Sequence, residues 1–271
     1  MAENNSIYLI GSYTGHRDKI IEALPERSFA DPRDQRQSSV AKLVCDNLQM
    51  AEECPIALAF HPGVMSFVEM GAAVTHGNHL IVVDDSDKHP FLELFAGSYF
   101  TKMYEAIDFL KGKPDLPKND KKIRGKYPAG SREYLPLNKV LISGAVTPEL
   151  TSVIKRAEKA RPDRKFYFCT DIYREFTNIF NYDLLVVNFP GDEDWNKQAC
   201  LLMGAASAHD ISILLMDEHD WKYPPLQAVA RRHCTINVLF EYLTEVDDLN
   251  ISSEARDMYK FFQREQERRR S

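Results

Sequence analysis

Residues 56–85 read Ile56-Ala-Leu-Ala-Phe-His-Pro-Gly-Val-Met-Ser-Phe-Val-Glu69-Met-Gly-Ala-Ala-Val-Thr-His-Gly77-Asn-His-Leu-Ile-Val-Val-Asp-Asp85, a pattern of strand, tight loop, short helix and strand. Ile56 to Phe60 is a continuous apolar run, the signature of a strand buried on both faces of a parallel sheet. Pro62-Gly63 breaks it. A helix with Gly71, Ala72 and Ala73 follows, small enough to approach the sheet closely, and Gly77-Asn78 ends it. Leu80 to Val83 is the next buried strand, closed by Asp84-Asp85. One carboxylate, Glu69, falls at the start of the helix, beyond the carboxyl end of a strand, where open α/β sheets bind ligands. Two readings are open for it. Ser66-Phe-Val-Glu69 fits a capping box, in which Glu69 bonds back to the cap; the other reading is chemistry.

The surroundings narrow the classes. A chain of 271 residues, 44% hydrophobic and 27% charged, is that of a soluble protein with a real core, in one large domain or two modest ones. A net charge of −6 argues against a polymeric nucleic-acid partner. No apolar run approaches the roughly 20 residues of a membrane span, and no signal peptide is read at the start. Cys45, Cys54, Cys169, Cys200 and Cys234 are an odd number without a CxxC pair. They point to reduced thiols in a cytoplasmic protein, and away from zinc or a disulfide framework.

Outward from the central stretch, Ile7 to Gly11 is a short strand, and Gly11-Ser-Tyr-Thr-Gly15 is the loop after it. His16 to Leu24 reads as an amphipathic helix, residues 25–38 as a polar loop over the site, and Val40 to Cys54 as a helix. Phe91 to Leu110 reads as one further helix. Residues 111–138, basic and rich in Pro and Gly, read as a linker. Then the pattern starts again. Lys139 to Gly144 matches the first strand; Asp183 to Gly191 echoes Pro55 to Gly63; Met203-Gly-Ala-Ala206 repeats Met70-Gly-Ala-Ala73; Ile211 to Glu218 matches the strand ending at Asp85. Gly11 and Gly144 lie 133 residues apart, as do Gly71 and Gly204. The chain therefore reads as a tandem duplication: a unit over 1–110, a linker, a second copy over 139–250, and a C-terminal helix with a basic tail over 251–271. In that register Leu202 stands for Glu69, so the carboxylate is not needed to fold the unit.

These residues resemble a family. Gly11-Ser-Tyr-Thr-Gly15 is similar to the Gly-Pro-Tyr-Thr-Gly loop of nucleoside 2-deoxyribosyltransferase-like proteins. Asp46-Asn-Leu-Gln-Met50, then Glu53-Cys54 and an apolar strand, resembles their second helix and third strand; Phe67-Val-Glu69-Met-Gly71 resembles the helix start bearing their nucleophilic Glu. The resemblance covers about residues 6–110, and 139–245 more weakly. It implies a flavodoxin-like (Rossmann-like) α/β fold, parallel sheets with helices on both faces, the two units packed as an internal pseudo-dimer. It implies cleavage or base exchange at the N-glycosidic bond of a 2-deoxyribonucleoside or its 5′-monophosphate, without a cofactor or metal. Glu69 would attack the anomeric carbon of an oxocarbenium-like transition state and form a glycosyl-enzyme. Asn47 stands where many members carry an Asp that protonates the leaving base, and Asp46 lies beside it. Gly11, Ser12 and Tyr13 would line the base pocket. Ser12 replaces the family's Pro, and the segment from Gly63 through Met65 to Val68 lacks its Gly-rich run.

In the family a second subunit completes the site, a task the second copy can take within one chain, with further homo-oligomers of the tandem unit left open. The segment Gln227 to His233 would then approach the ligand, and Arg231 or Arg232 suits a 5′-phosphate. Two alternatives stand beside this: an inactive nucleotide-binding or structural member of the fold, and a nicotinamide-dinucleotide glycohydrolase. Among other candidates, His61, His76 and His79 match no metal spacing. Asp84-Asp85 and Asp217-Glu218 read as caps, and Trp195 and Trp221 as packing residues.

Overall fold

The computed structural model describes residues 6–13, 15–34, 39–85, 89–113, 116, 137–189, 196–217, 224–230 and 232–245. Most of the linker, the terminal segment 251–271, Arg231, Glu218, Trp195 and Trp221 lie outside them. The first unit runs β1 (Ile7–Gly11), α1 (His16–Ala23), β2 (Phe29–Ala30), α2 (Val40–Glu53), β3 (Ile56–Phe60), α3 (Val64–Thr75), β4 (His79–Val83), β5 (Ser98–Phe100) and α4 (Met103–Gly112). The second runs β6 (Lys139–Gly144), α5 (Pro148–Ala160), β7 (Lys165–Phe168), α6 (Ile172–Thr177), β8 (Leu184–Phe189), α7 (Lys197–Ala208), β9 (Ser212–Asp217), α8 (Pro224–Val229), β10 (Arg232–Cys234) and α9 (Ile236–Glu245).

Among the described residues the strands form two five-stranded sheets, every pairing parallel, ordered β2-β1-β3-β4-β5 and β7-β6-β8-β9-β10. Both follow the doubly wound flavodoxin-like order, so the expected fold of two parallel sheets with helices around them holds. The strands β1, β3 and β4 are buried almost throughout because helices cover both faces. One cluster joins α1 and α4 to the outer face of the first sheet, and another joins α5 and α9 to the outer face of the second. The central cluster spans both units.

At its heart α3 packs along α7. Nearly every residue of both helices is buried, as an apolar surface on all sides requires. The repeated Met-Gly-Ala-Ala tetrapeptides meet here. A Cβ on Gly71 would lie 2.1 Å from the Leu201 carbonyl oxygen, and one on Gly204 would lie 1.9 Å from that of Val68. Leu201 is 133 residues beyond Val68, so the contacts are reciprocal, as an isologous two-fold interface demands. No helix among the described residues is long and apolar enough to cross a membrane.

Two expectations need correction. Phe91 to Leu110 is not one helix: a 3₁₀ turn over Pro90–Leu94 leads into β5, and only then does α4 begin. The Gly97 N–H bonds the Leu80 carbonyl at 2.8 Å and the Asp84 N–H bonds that of Phe100 at 3.0 Å. Capture by β4 thus outweighs a helical spacing that the same apolar residues also satisfy. The polar stretch 25–38 is not all loop either, since Phe29–Ala30 pairs with β1 as an edge strand too short to show alternation.

The close helix crossing makes a prediction. Gly71→Ala and Gly204→Ala should each lower the free energy of chemical denaturation by about 1–3 kcal/mol, the range for overpacking. The double variant should lose less than the sum, because both methyls widen one gap. Gly112→Ala, which meets open space, should lose nothing.

Candidate active site

The α3 helix begins one residue after Gly63, which acts as its N-cap, and Ser66 occupies the third position with its Oγ accepting from the Gly63 N–H at 3.2 Å. The capping role is therefore filled by Ser66. Glu69 sits in the second turn instead, with no bond to the helix start, and the capping-box reading of it falls. Its side chain points from α3 into a cavity of about 580 Å³ at the carboxyl ends of β1 and β3. The rim comes from Gly11, Ser12 and Tyr13 after β1, from His61, Gly63, Val64 and Met65 after β3, and from Leu43, Val44 and Asn47 of α2. Pro225 of α8 lines it too, so the second unit completes the wall.

The carboxyl group is almost wholly removed from water, at 5% exposure. Burial pushes its pKa from the ordinary 4.5 up to about 7; bonds from Asn47 and Tyr8 and the charge of Arg17 oppose this and lose. Asn47 Nδ2 donates to Glu69 Oε1 at 3.0 Å. The buried Tyr8 hydroxyl of β1 lies near enough to feel the carboxylate, which raises the phenol well above its usual range after desolvation has done most. Yet it makes no hydrogen bond of good geometry, and Asn47 Oδ1 is likewise left without one. Buried polar atoms of this kind are costly unless something satisfies them. Of the two residues, Asn47 lines the cavity, and its unpartnered Oδ1 suits a hydroxylated ligand.

The loop after β1 is held by Arg17, 1% exposed, which donates to Asp31 at 2.8 Å, to the Gly11 carbonyl at 2.8 Å and to the Ser12 carbonyl at 3.1 Å. Its guanidinium also lies 4.8 Å from the centre of the Tyr13 ring. Gly11 takes φ +124°, and a Cβ there would strike the Phe60 carbonyl at 1.9 Å, so the turn demands glycine. Tyr13, 56% exposed, stands at the mouth.

The structure thus brings together Gly11, Ser12, Tyr13, Asn47, Gly63, Met65 and Glu69. Asp46 is not among the lining residues and pairs with Lys42 on the outer side of α2. Arg232 does not line the cavity; its guanidinium lies 5.5 Å from the Tyr242 ring centre, over α9. Sequence reasoning missed Tyr8 and Arg17, which an apolar strand and a polar helix face conceal, and it named Gln227 to His233 where Pro225 makes the contact. In the second unit, Phe176 and Tyr173 of α6 pack with ring centres 4.8 Å and 5.9 Å from that of Phe95. Among the described residues no group of three His, Cys, Asp or Glu is placed to hold a metal ion. Burial pushes the Cys169 thiol up to about 11 and that of Cys200 to about 12, away from nucleophilic use.

Comparison with known proteins adds little. No family model matches the chain, and no curated protein does. Among solved structures it is similar to a probable two-component system response regulator/GGDEF domain protein, at 9% identity over 92% of this chain and 99% of that one, with a TM-score of 0.27. A putative protein of the same description is similar at 10% identity, 89% and 98% coverage, and a TM-score of 0.27. Likeness at that level carries no argument.

Burial of Glu69 predicts a pH-dependent stability difference. The native state holds a proton that the unfolded chain gives up near pH 4.5, so the wild type loses stability as pH rises from there through about 7. Glu69→Gln escapes that loss. It should match the wild type below pH 4 and exceed it by up to about 3 kcal/mol at pH 8, read from denaturation midpoints across the range.

Proposed function

We propose that this chain cleaves the N-glycosidic bond of a 2-deoxyribonucleoside or its 5′-monophosphate, by hydrolysis or by exchange of the base, with Glu69 as nucleophile. The observation that carries the reading is the buried carboxyl at the floor of the cavity, bonded to Asn47 on one oxygen and belonging to no cap or ion pair. Nucleophilic attack needs a carboxylate under the anomeric carbon, held rigidly and partly stripped of water. A group whose ionised form burial disfavours is eager to collapse onto a developing cation, because the ester it forms no longer bears the buried charge. The single Asn47 bond fixes the orientation of the attacking group. The unpartnered Asn47 carbonyl suits a sugar hydroxyl, and the flat Tyr13 ring at the mouth suits a base.

Pro225 supports the internal pseudo-dimer as the working unit, since a wall of this cavity comes from the other half. A second reading, ligand binding without turnover, is favoured by Asn47 itself, which has no acidic proton to give where an Asp would.

Incubation with a panel of deoxynucleosides and their monophosphates, with and without an acceptor base, decides between them. Release of free base that falls at least about 10³-fold in Glu69→Ala, as loss of a covalent nucleophile implies, supports the proposal. Exchange into the acceptor makes the chain a transferase. Because the nucleophile works ionised, kcat/KM should rise as pH increases toward about 7. Binding without base release by any member of the panel supports the second reading.

A further inference from the structure

The departing base leaves with the electron pair of the broken bond and needs a proton, which the Asn47 amide cannot supply. We propose that His61 delivers it, an assignment that rests on the reading of Glu69 as nucleophile. His61 directly follows β3 and lines the same cavity. Of the other lining side chains, Arg17 is spent on Asp31 and two carbonyls, the Tyr13 phenol is pushed up by burial and by Glu69, and Glu69 is the attacking group. Histidine is the side-chain type whose proton exchange lies in the physiological range.

Its setting is unusual for a surface residue. The backbone holds φ +42°, a left-handed conformation uncommon outside Gly, although Asn, Asp and His adopt it more readily than other side chains. The following Pro62 narrows the choices further, since its ring disfavours the right-handed helical region at position 61. Strained backbone of this kind gathers where a side chain must be aimed. The ring is steadied from two sides. Nδ1 faces the Asp85 carboxylate at 3.6 Å, and the ring of His16 lies 4.9 Å away at a tilt of 58°. The remaining nitrogen, Nε2, has no protein hydrogen-bond partner among the described residues. Asp85, two residues beyond β4, thus faces the imidazole closely enough to attract it once the ring carries its second proton.

The step balances. A Glu69 oxygen forms a bond to C1′ as the C1′–N bond breaks, the pair passes to the base, and His61 Nε2–H protonates a ring nitrogen of that base. In the second half water attacks C1′, the ester bond to Glu69 breaks, and the proton lost by water returns to His61. In exchange, an incoming base takes the place of water and gives up its own ring proton.

The test compares 2′-deoxyguanosine with its N7-methyl derivative, whose base leaves neutral and needs no proton, uncatalysed loss being subtracted for both. His61→Asn suits the left-handed backbone and keeps the fold, checked by its melting temperature. It should lower kcat on 2′-deoxyguanosine by at least about 10²-fold with KM little changed, and on the N7-methyl substrate by less than about 5-fold. Glu69→Ala should abolish both reactions. Equal losses on the two substrates, or no loss on either, overturn the assignment and leave Glu69 in place. A wild-type protein that releases base from neither substrate overturns the Glu69 reading, and the role of His61 with it.

Discussion

The structure depends on one crossing, where α3 and α7 touch backbone to backbone at Gly71 and Gly204. Each glycine lets the other helix's carbonyl approach where a methyl would collide. Two sheets with their own outer helices are thereby joined through a shared core. The crossing also sets the site, since Glu69 lies two residues before Gly71 on the same helix. The angle and depth at which α3 meets the second unit decide where that carboxyl points. They also carry α8 against α2, and so bring Pro225 to the cavity.

Around this frame the charged groups are treated in two ways. Arg17 and Asp31 are buried as a satisfied pair that also clamps two carbonyls of the loop after β1. Such a pair serves geometry, because removing either member leaves an uncompensated charge. Among the described residues Glu69 has no cationic partner at contact distance, and it is held by the neutral donor Asn47. The low dielectric is then felt in full, and protonation competes with ionisation near neutral pH. His61, with its left-handed backbone, and Asn47, with its unpartnered Oδ1, line the same cavity.

Much of the architecture was legible because it rests on local signals. The apolar runs at Ile56–Phe60 and Leu80–Val83 can be little other than buried parallel strands. The repeated Met-Gly-Ala-Ala tetrapeptide marked the duplication and, as the structure has it, the surface on which the copies meet. The misreadings share a cause. Ser66 and Glu69 both lie at spacings that permit a cap, and the choice turned on whether the helix starts at Val64, a matter of how Gly63 leaves β3. Phe91 to Leu110 satisfied helical spacing, yet β4 offered an open edge that captured Ser98–Phe100.

By itself the sequence determined the fold class, the tandem repeat and the single carboxylate that one copy keeps and the other replaces with leucine, because periodicity and small-residue patterning act within a few residues. Only the tertiary structure decided which neighbours that carboxylate has. Tyr8, Asn47, Glu69 and Pro225 come from four separate elements, and Arg17 reaches back over Gly11 and Ser12 from a fifth. Their meeting is set by parallel crossovers and by the contact of two glycines 133 residues apart. No spacing along the chain encodes a distance across it, so the pKa of Glu69 and the aim of His61 belong to the packed molecule alone.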